Sequence, residues 1–312
     1  MKQLILDTDL GSDCDDVGAL AVLYALAQLG EVSIRAIAHA NGLPNGTRAI
    51  GLLNAYYRQS VPVAHAWNRR RHARAQYDEY ATKLCGLFPD SAPPKGQRLP
   101  DAVSLLRRTL AEAADRVTLV AIGPLSNLAA LLDSPPDRYS RLSGCQLLEA
   151  HAAELVLMGG YFDRSRNLLE GDLPYPAEFN ITCDIPAARA VFDRWPGSIV
   201  ASPFEVGYEL VTGQFLANPA EPADPLACCY RDYCGGKGRY SWDLTAVLYA
   251  VRGAGQDWAV SAPGSIVVDR HGVTDFVPSP TGRHRYLTGN LQAQVTCATL
   301  DALLRAGRRL QQ

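Results

Sequence analysis

The sequence predicts an α/β fold: a single-domain, open, mostly parallel sheet flanked by helices. Three observations carry that expectation. Short apolar runs alternate with longer, helix-periodic stretches, which is the pattern of successive βα units. Polar clusters recur just after the strand-like runs, where open α/β sheets place their ligands. No linker, internal repeat or low-complexity segment divides the chain, so residues 1–312 are expected to form one domain.

Leu4-Ile5-Leu6 reads as a buried strand, and Val17 to Leu23 as a helix with an apolar face. Val32 to His39 alternates and is a second strand, ending at Asn41-Gly42. Pro44 opens a helix to about Tyr57, and Val61 to Ala64 is a short third strand. Residues 66–100 read as irregular, with Arg69-Arg70-Arg71, then Pro89, Pro93, Pro94 and Gly96. Such a length suits a binding loop, while the Arg run reads equally as a solvated surface. A helix is expected near 101–113. Val117 to Ile122 is a buried strand running into Gly123-Pro124-Leu125-Ser126-Asn127, where Pro124 suits a first helical turn. Glu154 to Met158 is a strand ending at Gly159-Gly160, followed by a long loop. Asp184 caps a helix through Phe192, and Ser198 to Ala201 is another strand. Residues 209–240 read as helical with Gly-rich ends. Trp242 to Val251 is a helix, and the remainder reads as β-rich before a terminal helix from about Leu291.

Composition removes several classes of function. The chain has 312 residues, 47% of them hydrophobic, and a net charge of -2, so no polyanion-binding surface and no nucleic-acid partner is expected. No apolar run is long enough to cross a membrane, and the N-terminus enters a strand at once without a leader pattern. The eight cysteines are scattered and form no C-x-x-C pair. That argues against zinc and fits reduced thiols in the cytoplasm.

The densest chemistry lies in Asp7-Thr8-Asp9-Leu10-Gly11-Ser12-Asp13-Cys14-Asp15-Asp16, between the first strand and the first helix. One helix start uses one or two acids as caps, not the five found here. Oxygen ligands gathered this way suit a hard cation such as Ca²⁺ or Mg²⁺. An EF-hand loop counted from Asp7 would need Glu where Gly18 stands, so that motif fails. An aspartyl nucleophile of the Asp-x-Asp type leaves Asp15-Asp16 unexplained. Asn41, Ser126-Asn127, Glu178-Phe179-Asn180 and Asp243 follow other strands or open helices. Alone, each reads as a turn residue, a cap or a solvated acid. Together they can converge on one cleft.

Taken in order, Asp7-Thr8-Asp9-x-Gly, Asp15-Asp16, Gly123 to Asn127, Met158-Gly159-Gly160, Glu178-Phe179-Asn180 and Trp242-Asp243 resemble the nucleoside hydrolases, over residues 4 to about 252. The resemblance implies a single α/β domain, a bound Ca²⁺, and hydrolysis of ribonucleosides to ribose and free base. It implies Asp9 as the metal-contacting base that takes a proton from water. Asp16 and Asp243 are implied metal ligands, with a backbone carbonyl at Ser126 completing the shell. Asp15 and Asn180 are implied partners of the ribose 2′- and 3′-hydroxyls. Glu178, with Asn167 as companion, is implied for the 5′-hydroxyl, and Asn41 lies beside the metal site. The family also implies a homodimer or homotetramer.

Two departures stand out. The acid loop carries two residues more than the family's usual one, so Asp13 competes with Asp15 for a role. Trp242 stands where many members place a His that serves as acid to the leaving base. Trp before Asp resembles the purine-preferring branch, where aromatic rings stack on the base. A slight purine preference is therefore expected, with an ordinary core aromatic as the alternative reading of Trp242. A second stacking ring is sought among Trp67, Tyr77 and Tyr80.

Overall fold

In the computed structural model, which describes residues 1–11, 13–66, 79–168, 176–218 and 224–309, the sequence-predicted alternation is present. The first half runs β1 (Lys2–Thr8), α1 (Asp15–Gln28), β2 (Val32–His39), α2 (Pro44–Tyr56), β3 (Val63–His65), α3 (Glu79–Leu87), α4 (Ala102–Ala111), β4 (Val117–Ile122), α5 (Ser126–Leu132), α6 (Gly144–His151) and β5 (Ala152–Met158). The second half runs α7 (Phe179–Cys183), α8 (Ile185–Arg194), β6 (Ile199–Ser202), α9 (Phe204–Tyr208), β7 (Val211–Thr212), α10 (Pro225–Cys234), β8 (Arg239–Tyr240), α11 (Trp242–Arg252), β9 (Trp258–Val260), β10 (Gly264–Val268), β11 (Thr274–Pro278), β12 (His284–Asn290) and α12 (Ala293–Arg309).

The main sheet has ten strands in the order β11-β10-β12-β6-β5-β4-β1-β2-β3, with β9 also paired to β12. Pairing is parallel from β3 through β12 and antiparallel at β9, β10 and β11. The chain steps outward from β1 to β2 and β3, then returns to lay β4 on the other side of β1. The strand order therefore reverses at β1/β4, and the loops after those two strands flank the crevice that ligands use in such sheets.

Strand alternation assigns each side chain to a face. Leu4 and Leu6 of β1 join the core under α1 and α11, while Ile5 joins the core under α4, α5 and α8. The last two residues of β1 continue that alternation with polar groups. Thr8 donates to Asp16 at the start of α1, and Asp7 accepts from Asn127 Nδ2 of α5 at 2.7 Å. Helix α1 is apolar nearly all round and buried from Asp15 to Leu26, against α11 and α12, as expected for a central helix. No described helix is long and apolar enough to cross a membrane.

Three expectations are corrected. The segment read as irregular over 66–100 contains α3, whose weak amphipathicity and internal Gly86 hide it in the sequence. Helix α6 was not anticipated, although Ser143 and Gln146 form a reciprocal capping box at its start. Among its described residues the stretch 209–240, read as helical, holds one α-helix, α10, and a short 3₁₀ turn beside a two-stranded sheet of β7 and β8. Trp67, Tyr77 and the run Arg69-Arg70-Arg71 lie outside the described residues.

Candidate active site

The carboxylates of Asp15, Asp16 and Asp243 meet at one point, with one oxygen from each within 4.8 Å of the others. Asp15 and Asp16 open α1, and Asp243 lies in the first turn of α11. Neither helix start has a side-chain cap, and both carry these acids in the first turn. The positive ends of both helix dipoles favour negative charge there. Asp15 accepts from the Asp243 amide at 3.2 Å, and Asp16 from the Thr8 hydroxyl.

These contacts do not balance the crowding. Burial raises the carboxyls of Asp15, Asp16 and Asp243 well above the usual carboxylate range, and the crowding of neighbouring acids, Asp9 and Asp13 included, raises them further. Three buried acids that cannot ionise together, offering oxygen donors alone, fit a hard divalent cation.

Asp9 lies beside this trio rather than in it. Its charge raises Asp16 and Asp243 on one side and Glu178 and Cys183 on the other, which places it between the two groups. Asn41 Nδ2 donates to the Asp9 carbonyl at 2.7 Å, and the Asn41 amide oxygen accepts from Leu43 N at 2.9 Å. Gly123, after β4, must be glycine, because a Cβ there would lie 2.8 Å from both Cβ and Oδ1 of Asp9. Ser126, the first residue of α5, is buried, and its hydroxyl donates to Asp184 Oδ2 at 2.7 Å.

Glu178 is a different kind of buried acid. Oε1 accepts from Asn180 N at 2.8 Å, and Oε2 from Ile181 N at 3.1 Å and Gly160 N at 3.2 Å. Burial still pushes it up to about 7. Three of its roughly four acceptor positions are used, leaving one for a ligand hydroxyl. Asn180 is anchored by its Nδ2, which donates to the Met158 carbonyl at 3.3 Å. Asn167 is an exposed residue with φ 44° at the end of a 3₁₀ turn.

Trp242 is enclosed by protein. It is 7% exposed, stacks on Phe204 at 5.2 Å, and donates from Nε1 to the Phe204 carbonyl at 2.9 Å. The Arg239 guanidinium lies 4.8 Å from its ring centroid. Stacking on a base therefore requires Arg239 or Phe204 to move aside. Tyr80 is likewise engaged: its hydroxyl accepts from Gly11 N and donates to the Asp13 carbonyl, both at 2.6 Å.

Sequence reasoning missed His39 and His65. His39 Nε2 meets the Leu10 carbonyl at 3.0 Å, and Thr47 Oγ1 bridges His39 Nδ1 at 2.8 Å and His65 Nδ1 at 2.6 Å. A carbonyl only accepts, so His39 carries its proton on Nε2, Thr47 donates to His39, and His65 donates to Thr47. Burial pushes His39 down to about 3, so it is a neutral brace for the acid loop. Its polar atoms are already committed and do not supply an acid for a leaving group. The signal available was His39 as the last residue of the second strand, since adjacent parallel strands end at one edge; in the structure it pairs with Thr8, the last residue of β1.

A switch-point cleft with a buried carboxylate trio defines a metal-fitting site on an α/β scaffold. Residues 4–301 match the model of the inosine-uridine preferring nucleoside hydrolase family, and the chain belongs to that family. The pyrimidine-specific ribonucleoside hydrolase RihA of Escherichia coli O139:H28 (strain E24377A / ETEC) is 32% identical over 198 residues, 61% of this chain and 56% of that protein. The chain thus spans little more than half the length of the curated relatives it matches. Among solved structures, an inosine-guanosine nucleoside hydrolase superposes with a TM-score of 0.75 at 20% identity, covering 98% of each chain. The inosine-uridine preferring nucleoside hydrolase of Bacillus anthracis gives 0.72 at 20% identity, over 99% of this chain and 100% of that one. At that identity the likeness shows the fold.

Proposed function

We propose that this chain hydrolyses the N-glycosidic bond of ribonucleosides to ribose and free base, with Ca²⁺ as its cofactor. The observation that carries this reading is the convergence of Asp15, Asp16 and Asp243 beside Asp9 at the switch point of the family's sheet. Residues 1–312 are read as one functional unit.

Asp15, Asp16 and Asp243 would hold the ion, with the Ser126 carbonyl nearby. When bound, Ca²⁺ supplies the charge that lets these acids ionise together and that acidifies a neighbouring water. Asp9, fixed by Asn41 and by the close approach of Gly123, accepts the proton of the attacking water. Asp15 and Asn180 orient the ribose 2′- and 3′-hydroxyls, and Glu178 takes the 5′-hydroxyl at its remaining acceptor position. Asn167 joins it only if its turn closes over the ribose. As the glycosidic bond stretches, positive charge grows on the sugar, and the surrounding carboxylates stabilise it. With His39 committed to Leu10, the leaving base draws its proton from solvent.

A purine preference through Trp242 rests on displacement of Arg239, and the relative RihA is named as pyrimidine-specific. A second reading, hydrolysis of another N-ribosyl compound, is favoured by one feature. Arg239 and Tyr240, which touch Trp242, also line a cavity of about 360 Å³ with Tyr233 and Lys237, giving it a basic rim.

The test is free ribose released from inosine, adenosine, guanosine, uridine, cytidine and nicotinamide riboside, with Ca²⁺ and with chelator. Release that needs Ca²⁺ and vanishes in Asp9→Ala is the expected result. Binding without release from any substrate would make this chain a non-catalytic nucleoside binder. We also carry forward assembly as a homodimer or homotetramer, which sedimentation velocity tests directly.

A further inference from the structure

We propose that the Asp13–Arg239 ion pair is a positioning latch that holds the two arms of the cation cage at binding distance. The inference rests on reading Asp15, Asp16 and Asp243 as a cation site.

The cage is assembled from two stretches far apart in the chain. Asp15 and Asp16 come from the acid loop, and Asp243 follows β8. Five residues separate Asp9 from Asp15, so the placement of Asp15 depends on how that loop is held. Both residues of the Asp13-Cys14 step are anchored on the other arm. Arg239 Nε donates to Asp13 Oδ1 at 2.9 Å and to Oδ2 at 3.0 Å, and Nη2 also donates to Oδ2. The Cys14 and Cys234 sulfurs lie 3.3 Å apart, at the end of α10 just before β8.

The pair is built to be rigid. A guanidinium gripping a carboxylate with more than one N–H fixes orientation as well as distance. Arg239 lies against three rings, 5.3 Å from the centroid of Tyr233, 5.6 Å from Tyr240 and 4.8 Å from Trp242. Asp13 is held from its other side, where its carbonyl accepts from Tyr80 and its Oδ1 from Cys14 N at 2.5 Å. The two side chains are only 16% and 21% exposed, so water screens them weakly. Arg239 is four residues from Asp243, and Asp13 two from Asp15, so the latch spans the same gap as the cage.

Geometry and charge predict opposite signs for one substitution. Arg239→Gln removes a positive charge beside the cage, so charge alone would tighten Ca²⁺ binding. A latch predicts that it weakens. The Asp13→Asn/Arg239→Gln double variant removes the latch without changing the net charge.

The experiment is calorimetric titration of Ca²⁺ into chelator-stripped full-length protein, with near-UV circular dichroism confirming the fold of each variant. We expect affinity to fall by about tenfold in Arg239→Gln and by the same factor in the double variant, as removal of outer partners of metal ligands typically does. Arg239→Lys, which keeps the charge and one contact, should recover part of the loss. Unchanged or tighter binding in Arg239→Gln and the double variant overturns the latch. If Asp13→Asn alone weakens binding far more than Arg239→Gln, Asp13 is a ligand and the latch is again overturned. If wild type binds no Ca²⁺, the cation-site reading fails and the latch with it. If wild type binds, Asp16→Asn does not, and Arg239→Gln binds normally, the latch alone fails.

Discussion

Two groups of buried acids sit at the same edge of the sheet, and they are solved differently. Glu178 is one carboxylate with three backbone N–H donors, supplied by the start of α7 and by Gly160. Asp15, Asp16 and Asp243 are three carboxylates that share one hydroxyl, one amide and two helix starts. The first group draws three of its roughly four acceptor partners from the chain and needs no counter-charge. The second becomes complete only when positive charge arrives from outside. A buried acid that the backbone supplies with donors can stand without a counter-charge, whereas crowded acids that lack donors call for a cation.

The largest effect should come from removing one acid from each group. Asp16→Asn should abolish turnover and lower Ca²⁺ affinity by on the order of a hundredfold or more, since even outer partners of a metal cost tenfold or more. The same change relieves crowding in the metal-free protein. Its unfolding midpoint in chelator should therefore rise, by roughly 2 °C or more for each kcal/mol recovered. Glu178→Gln should do the reverse, because its new NH₂ group faces backbone N–H donors. Differential scanning fluorimetry of the two variants in chelator gives both signs. Shifts in the same direction would break the distinction between the groups.

Much of this division was legible in the sequence, and the remainder was hidden for physical reasons. The parallel sheet, the acid loop and the late Asp243 could be read because apolar periodicity places strand ends at one edge. The partition of the acids could not. Asp7 bonds Asn127 on one face of the sheet and Asp13 bonds Arg239 across the cleft. Both partners are more than a hundred residues away, and nothing local distinguishes these acids from Asp15 and Asp16. The enclosure of Trp242 by Phe204 and Arg239 is hidden in the same way, because an aromatic at a helix start looks identical whether its ring is covered or open. The two-residue excess in the loop was the visible clue that Asp13 needed a separate explanation.

A middle-sized effect concerns protons. With their carboxyls raised, Asp15, Asp16 and Asp243 retain protons in the metal-free protein that they would lose in water. Binding of Ca²⁺ must displace them. The calorimetric enthalpy of Ca²⁺ binding near pH 7 should therefore depend on the ionisation enthalpy of the buffer, with a slope showing proton release of about one per ion. Affinity should strengthen as pH rises. A slope of zero across PIPES and Tris would mean that the trio is already ionised and that crowding does not define this group.

The smallest effect isolates Glu178. Its folded value of about 7 lies above the ordinary 4.5, because burial outweighs its three donors. Below about 4.5 the group is protonated in both the folded and the unfolded chain. Between about 4.5 and 7 the unfolded chain releases this proton and the folded chain keeps it, so stability falls as pH rises. The loss levels off above about 7 and amounts to at most roughly 3 kcal/mol. The trio contributes a loss of the same sign, so the useful quantity is the stability of wild type minus that of Glu178→Gln. In chelator that difference should decline across the window. With saturating Ca²⁺ the ion's charge lowers Glu178 toward its ordinary value, and the decline should shrink. A difference that stays level in chelator from pH 4.5 to 7 would show that the three N–H donors do offset burial, making Glu178 an ordinary ionised acid in the fold.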